Sequence, residues 1–227
     1  MAVFVTADLH LSLGTDKPMD IFGGWSDYVM RLKQNWSKIV NPSDTVVIVG
    51  DISWAMKLEE CEKDFSFIHS LPGKKIFIKG NHDYWWGTKR KLDEYIEKNK
   101  FDTISILFNN SFTADGISIS GSRGWFYDIA ESGDKKVLNR EANRLRMSIQ
   151  AAQSTPIVFL HYPPIFGDYV CNEIMDVLKE YNIKKCYYGH LHGSVAHKKA
   201  FNGVFEGIDF KLVSCDSTDF TPVLVRT

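Results

Sequence analysis

The sequence predicts an α/β protein in which two β-sheets lie face to face with helices outside, a four-layer αββα sandwich. Three observations carry this expectation. The first hundred residues alternate strand and helix patterns, βαβαβα, which argues for parallel strands with right-handed crossovers. A strand-only stretch with a hairpin signal comes next, and the alternation returns between residues 156 and 188. The last thirty or so residues show no helical period and read as three or four antiparallel strands. At 227 residues the chain fits one domain, residues 1–227.

Ala2–Thr6 is a short apolar run, read as a strand. Ser26 is placed to cap a helix reaching Ile39, with Val29, Leu32, Trp36 and Ile39 spaced three or four apart, and Asn41-Pro42 stops it. Thr45–Val49, β-branched throughout, reads as a strand buried on both faces. A helix over Leu58–Leu71 presents Leu58, Cys61, Phe65 and Ile68 on one side and ends at Pro72-Gly73. Lys75–Lys79 is the third strand, and Thr88 opens a helix to about Asn99.

Strands are expected at Ile104–Phe108, Ser111–Ala114 and Ile117–Ser120, the last two joined by Asp115-Gly116, a hairpin dipeptide. A long polar helix, Lys135–Gln153, is entered from Ser132-Gly133-Asp134. Pro156–Leu160 is a strand, Cys171–Tyr181 a helix, and Lys185–Tyr188 a strand.

Composition excludes several classes. The chain is 44% hydrophobic and 24% charged, unlike a disordered protein. No window is apolar for the ~18 residues of a membrane span, so no membrane partner is expected. The opening residues lack the basic segment of an export signal. Cys61, Cys171, Cys186 and Cys215 form no CxxC, so reduced thiols and a cytoplasmic location are the expectation. Net charge is −1 and the basic pairs are scattered. No nucleic-acid footprint stands out, and a polynucleotide is not the expected partner.

The chemistry lies at the strand ends. Asp8-Leu9-His10, Gly50-Asp51, Gly80-Asn81-His82-Asp83, His161 and Gly189-His190-Leu191-His192 each come after a predicted strand of the parallel type. Ligands of open α/β sheets bind just beyond those ends. Five of the seven histidines sit there; His69 and His197 do not. By composition, Gly-Asn-His-(Asp/Glu) is expected about 0.003 times and Gly-His-x-His about 0.015 times in such a chain. Carboxylates and imidazoles without thiolates suit a pair of divalent cations such as Mn, Fe or Zn.

This ordered set resembles the calcineurin-like metallophosphoesterases, over most of the chain from Asp8 to His192. The resemblance implies the two-sheet sandwich, two divalent ions and hydrolysis of a phosphate ester by a hydroxide held between them. It assigns Asp8, His10, Asp51 and His192 to one ion, and Asp51, Asn81, His161 and His190 to the other, with Asp51 bridging. His82 would be catalytic, facing the phosphate to stabilise the transition state or protonate the leaving oxygen. The protein Ser/Thr phosphatase branch carries Gly-Asp-x-x-Asp-Arg-Gly; here Trp54 replaces the second Asp, so protein phosphatase activity is not expected.

The Gly-His-x-His ending is closer to phosphodiesterase branches, which favours a phosphodiester or nucleotide-type small molecule. A phosphomonoesterase, or a non-catalytic binding module on the same scaffold, is the alternative. Arg123, between two glycines after a strand, could reach the phosphate, and Trp54 and Trp85 could stack on a flat substrate group.

Overall fold

In the computed structural model, residues 1–125 and 135–226 are described. The first half builds β1 (Val3–Thr6), α1 (Tyr28–Ile39), β2 (Thr45–Val49), α2 (Glu62–Ser70), β3 (Lys74–Ile78), α3 (Lys89–Lys98) and β4 (Ile104–Ile106). The second half adds β5 (Phe112–Ala114), β6 (Ile117–Ser122), α4 (Lys135–Gln150), β7 (Ile157–Leu160), β8 (Ile165–Phe166) and β9 (Tyr169–Val170). It ends with α5 (Asn172–Glu180), β10 (Lys185–Tyr188), α6 (Gly193–Lys199), β11 (Gly203–Phe205), β12 (Ile208–Leu212) and β13 (Val223–Leu224).

One sheet runs β13-β1-β2-β3-β4 and the other β11-β12-β10-β7-β6-β5. In the first, β1 to β4 are parallel and β13 is antiparallel to β1. In the second, β6, β7, β10 and β12 are parallel, flanked by antiparallel β5 and β11. β8 and β9 form a separate hairpin.

The strand period of two explains the layering. Val3, Val5, Val47, Val49, Ile76 and Ile78 of the first sheet share one buried layer with Ile119, Ile157, Phe159 and Tyr187 of the second. The alternate residues, Phe4, Val46, Ile48 and Phe77, instead pack under α1–α3 with Leu32, Trp36, Phe65 and Leu92. Val158, Leu160, Cys186 and Tyr188 do the same under α4 and α5 with Leu138, Leu145, Ile174 and Leu178. The result is the expected αββα sandwich. Strands buried on both faces must be apolar at every position, which is why TVVIV and IVFL carry no alternation. Among the described residues no helix is long and apolar enough to cross a membrane.

Four expectations are corrected. The tail is not a set of antiparallel strands: Gly193–Lys199 is a helix, β12 runs parallel to β10, and β13 crosses to the other sheet. A seven-residue helix spans two turns, too few for a period to show. Ser26 does not cap α1; the helix begins at Tyr28, after Asp27 at φ 52° with no side-chain cap. Residues 58–70 form a short 3₁₀ turn, Leu58–Cys61, before α2. The polar helix stops at Gln150, and its expected entry at Ser132-Gly133-Asp134 lies outside the described residues.

Candidate metal centre

The parallel strands of both sheets bring their C-terminal ends to one rim. β1 delivers Asp8 and His10, β2 Asp51, β3 Asn81 and His82, β7 His161, and β10 His190 and His192. The chain turns abruptly there. Asp8, His10, Asp51 and His190 have φ of 63°, 46°, 50° and 75°. That left-handed conformation costs a non-glycine residue about 1–3 kcal/mol and persists only where its surroundings impose it.

Asp83 supplies much of that constraint. Its buried carboxylate accepts from the backbone N–H of Gly80 (2.7 Å), Ile52 (2.8 Å) and Asp51 (3.0 Å), tying the loops after β2 and β3 together. Burial, then the charge of Asp51, hold the Asp83 carboxyl up to about 7. Two glycines let the loops close. A Cβ on Gly80 would lie 2.1 Å from Asp51 Oδ1, and one on Gly189 would lie 2.6 Å from Asp8 Oδ2.

The side chains gather in two groups that could hold a cation each: Asp8, His10 and His192, and Asp51, His161 and His190. Within each group the candidate donor atoms lie within 4.8 Å of one another. Asn81 Oδ1 joins the second group, 2.6 Å from His161 Nε2 and 2.9 Å from His190 Nδ1. Asp51 lies between the groups. Its Oδ2 is 3.7 Å from His10 Nε2 and its Oδ1 is 3.6 Å from His161 Nε2. The seven residues assigned as ligands from the sequence are thus brought to one place.

The donor set fits cations. His161 Nδ1 is 3.0 Å from the carbonyl of Val49, so that nitrogen carries the proton and Nε2 presents a lone pair. That lone pair meets the carbonyl oxygen of Asn81 at 2.6 Å, two acceptors facing each other. Asp8 Oδ1 is buried with no hydrogen-bond partner. Burial lowers the basicity of His10, His161 and His190, the last to about 3. Neutral imidazoles of this kind are ready ligands.

Charge is arranged to match. Burial, then the neighbouring Asp8, push the Asp51 carboxyl up to about 8. Burial opposes the ionised form of Asp8 as well, but the His192 ring, 3.7 Å from Asp8 Oδ1, outweighs it and holds this carboxyl low. Burial also disfavours protonated His192, yet its hydrogen bond to Asp216 and the nearby Asp8 carboxylate raise it to about 10. A buried carboxylate pair thus retains a proton on its neighbouring imidazole, and a cation entering the centre displaces protons.

His82 stands beside both groups. Its backbone N–H donates to Asp51 Oδ1 at 2.8 Å, and its Nδ1 lies 3.2 Å from the Tyr84 hydroxyl. Trp54 takes the place of the missing carboxylate: its ring packs on His82 (4.6 Å between centroids) and stacks on His10 (4.8 Å, 21° between planes).

The other two residues expected at the substrate lie differently. Trp85 is 4% exposed, buried against Phe65 and Trp86, and does not line the cavity beside His82. Arg123 pairs with buried Glu141 at 3.5 Å and lies over Trp125 at 4.9 Å.

Sequence reasoning missed Asp216. Its Oδ1 is 3.1 Å from His192 Nδ1 and its Oδ2 accepts the Gly193 N–H at 2.9 Å, with His197 at 3.4 Å. A carboxylate in this position fixes the ring and directs Nε2 inward. Asp216 also comes after a parallel strand, β12, and the antiparallel reading of the tail hid that signal. Asp216→Ala is expected to weaken metal affinity by about 10–100-fold, the usual effect of removing such a partner. Titration against a chelating dye measures it, and an unchanged affinity removes the role.

The sequence profile of a family described as calcineurin-like phosphoesterase matches residues 1–194. Among solved structures, the chain is similar to the protein of unknown function AQ665 from Aquifex aeolicus. The TM-score is 0.55 at 17% identity, covering 98% of this chain and 95% of that one. It is also similar to phosphopantetheinyl hydrolase from Mycobacterium tuberculosis, with TM-score 0.55, 13% identity and coverage of 99% and 95%. No curated protein sequence matches.

Proposed function

The chain belongs to the calcineurin-like phosphoesterases, and from that premise we propose that it hydrolyses a phosphate ester with two divalent ions. Asp8, His10, Asp51 and His192 would hold the first ion; Asp51, Asn81, His161 and His190 would hold the second. One observation carries this reading: the two oxygens of Asp51 are directed to histidines of different groups, 3.7 and 3.6 Å away.

When bound, such ions polarise a phosphoryl oxygen and acidify a water near neutral pH. The protein's own residues do the rest. Asp83 and Gly80 fix the Asp51 carboxylate between the groups. His161 is held by Val49 and His192 by Asp216, each with its other nitrogen turned to the centre. His82, with Nδ1 at the Tyr84 hydroxyl, has Nε2 left to meet the phosphoryl or leaving-group oxygen. Burial, then the charge of neighbouring histidines such as His161, lower its pKa. A proton on Nε2 therefore comes from the neutral tautomer or arrives with the substrate's negative charge.

A phosphodiester or nucleotide-type substrate is the favoured class. Trp54 stands where the protein phosphatase branch has an aspartate, and aromatic rings flank the site. The test is turnover of chromogenic mono- and diesters by chelator-stripped protein given Mn, Fe or Zn. Metal-dependent hydrolysis, faster on the diester, is expected. Faster monoester turnover would reverse the substrate preference, and no turnover with any metal would overturn the enzyme assignment.

A further inference from the structure

Next to His82 and the first metal group opens a cavity of about 390 Å³, within the ~300–1,000 Å³ range of small-molecule sites. Its walls are Met19, Phe22, Trp25 and Trp54, with His10, His82 and His192 at its inner end. Among the described residues no carboxylate, amide, hydroxyl, lysine or arginine side chain lines it. Trp25 is 3% exposed, set edge-on to Tyr28 and Phe220 (5.3 and 5.1 Å), so this wall is rigid. Phe22 is 54% exposed and Ile21 beside it 74%. The fold leaves this apolar surface uncovered at the rim, which marks a place where something else covers it.

We propose that this cavity is a substrate subsite that takes a planar aromatic group carried on the phosphate, read by stacking and shape rather than by hydrogen bonds. The inference rests on the phosphoesterase reading and deepens it. The inner end is the catalytic face, so a phosphate at the metal centre directs its organic substituent outward along Trp54, Met19 and Phe22. Indole and thioether walls favour a flat π-surface. Beyond the three inner histidines, no described carboxylate, amide, hydroxyl or charged side chain of the lining is there to bond the edge of a base or the hydroxyls of a sugar, so the subsite tolerates any ring. Exposed Lys17 rests 4.9 Å over the Trp54 ring, a weak contact that an entering ring can replace.

Manganese-loaded protein is titrated calorimetrically with phenyl-, butyl- and methylphosphonate. The 5′-phosphonate analogue of adenosine monophosphate is compared with that of ribose 5-phosphate. The ring-bearing member of each set is expected to bind more tightly, by about 5- to 150-fold, the range that ring stacking contributes. Phe22→Ala and Trp54→Ala should shrink that advantage, and Phe22→Ala should leave methylphosphonate affinity unchanged; Phe22 is 54% exposed, so its removal should not disturb folding. Gains in both sets are expected of a subsite that accepts any ring, and a gain confined to the adenosine compound contradicts recognition by stacking and shape alone.

Equal affinities within each set overturn the subsite. So does a butyl gain matching the phenyl one, or a ring advantage untouched by both substitutions. Orthophosphate binding and ester turnover are measured in parallel. A protein that keeps both without preferring a ring refutes the subsite alone, and a protein with neither refutes the phosphoesterase reading.

Discussion

Asp51→Asn is expected to reduce metal-dependent ester hydrolysis by about 1,000-fold or more, a loss of roughly 4 kcal/mol of transition-state stabilisation. The magnitude comes from position. Asp51 presents a separate oxygen to each donor group, and its Oδ1 also receives the His82 N–H. An amide keeps the size but loses the charge, and it turns an NH₂ toward one group, where a donor meets the place of a cation. Elemental analysis should show fewer than two ions per chain, and circular dichroism should match the wild type. A variant with full metal content and near-normal kcat/KM would show that Asp51 does not hold the ions.

His82→Ala should behave differently. It removes no ligand, so metal content should remain at the wild-type level while kcat falls by about 10²–10⁴-fold, the usual contribution of a positioned acid or base. Leaving groups separate the two roles that His82 can play. If Nε2 protonates the leaving oxygen, the loss is large for alkyl esters and small for nitrophenyl esters, which leave without help. If it stabilises charge on the phosphoryl oxygens, the loss is similar for both. Tyr84→Phe should give a smaller loss of the same kind, since that hydroxyl orients Nδ1 at 3.2 Å. Loss of bound metal in His82→Ala would contradict the separation of roles.

Much of this site is legible in the sequence because its residues sit at strand ends. TVVIV, KIFIK and PIVFL are recognisable as buried parallel strands by composition alone, and a parallel sheet places the residues just past each strand on one rim. Eight chemically suited residues, from Asp8 to His192, are located by that rule without any knowledge of their contacts.

The unread parts depend on how loops pack, which a one-dimensional period does not record. Met19, Phe22 and Trp25 lie between β1 and α1, where no periodicity indicates which side chains turn toward the cavity. Tyr84, Trp85 and Trp86 are consecutive aromatics of similar promise. The structure leaves Tyr84 exposed against His82 and buries Trp85 under Phe65. Arg123 reads as a phosphate ligand because it ends β6 between glycines. Its partner Glu141 is a buried acid on α4, at a position where the helical pattern gives no warning of a charge. Asp216 is obscured by a mistaken strand direction, an error of topology that no residue-level signal corrects.

The central claim is that residues from both sheets converge to hold two cations around Asp51. Anomalous scattering from a manganese-soaked crystal tests it most directly. The account predicts two peaks, one among Asp8, His10 and His192 and one among Asn81, His161 and His190, each within bonding distance of an Asp51 oxygen. An empty rim at saturating manganese, or peaks elsewhere, would contradict it.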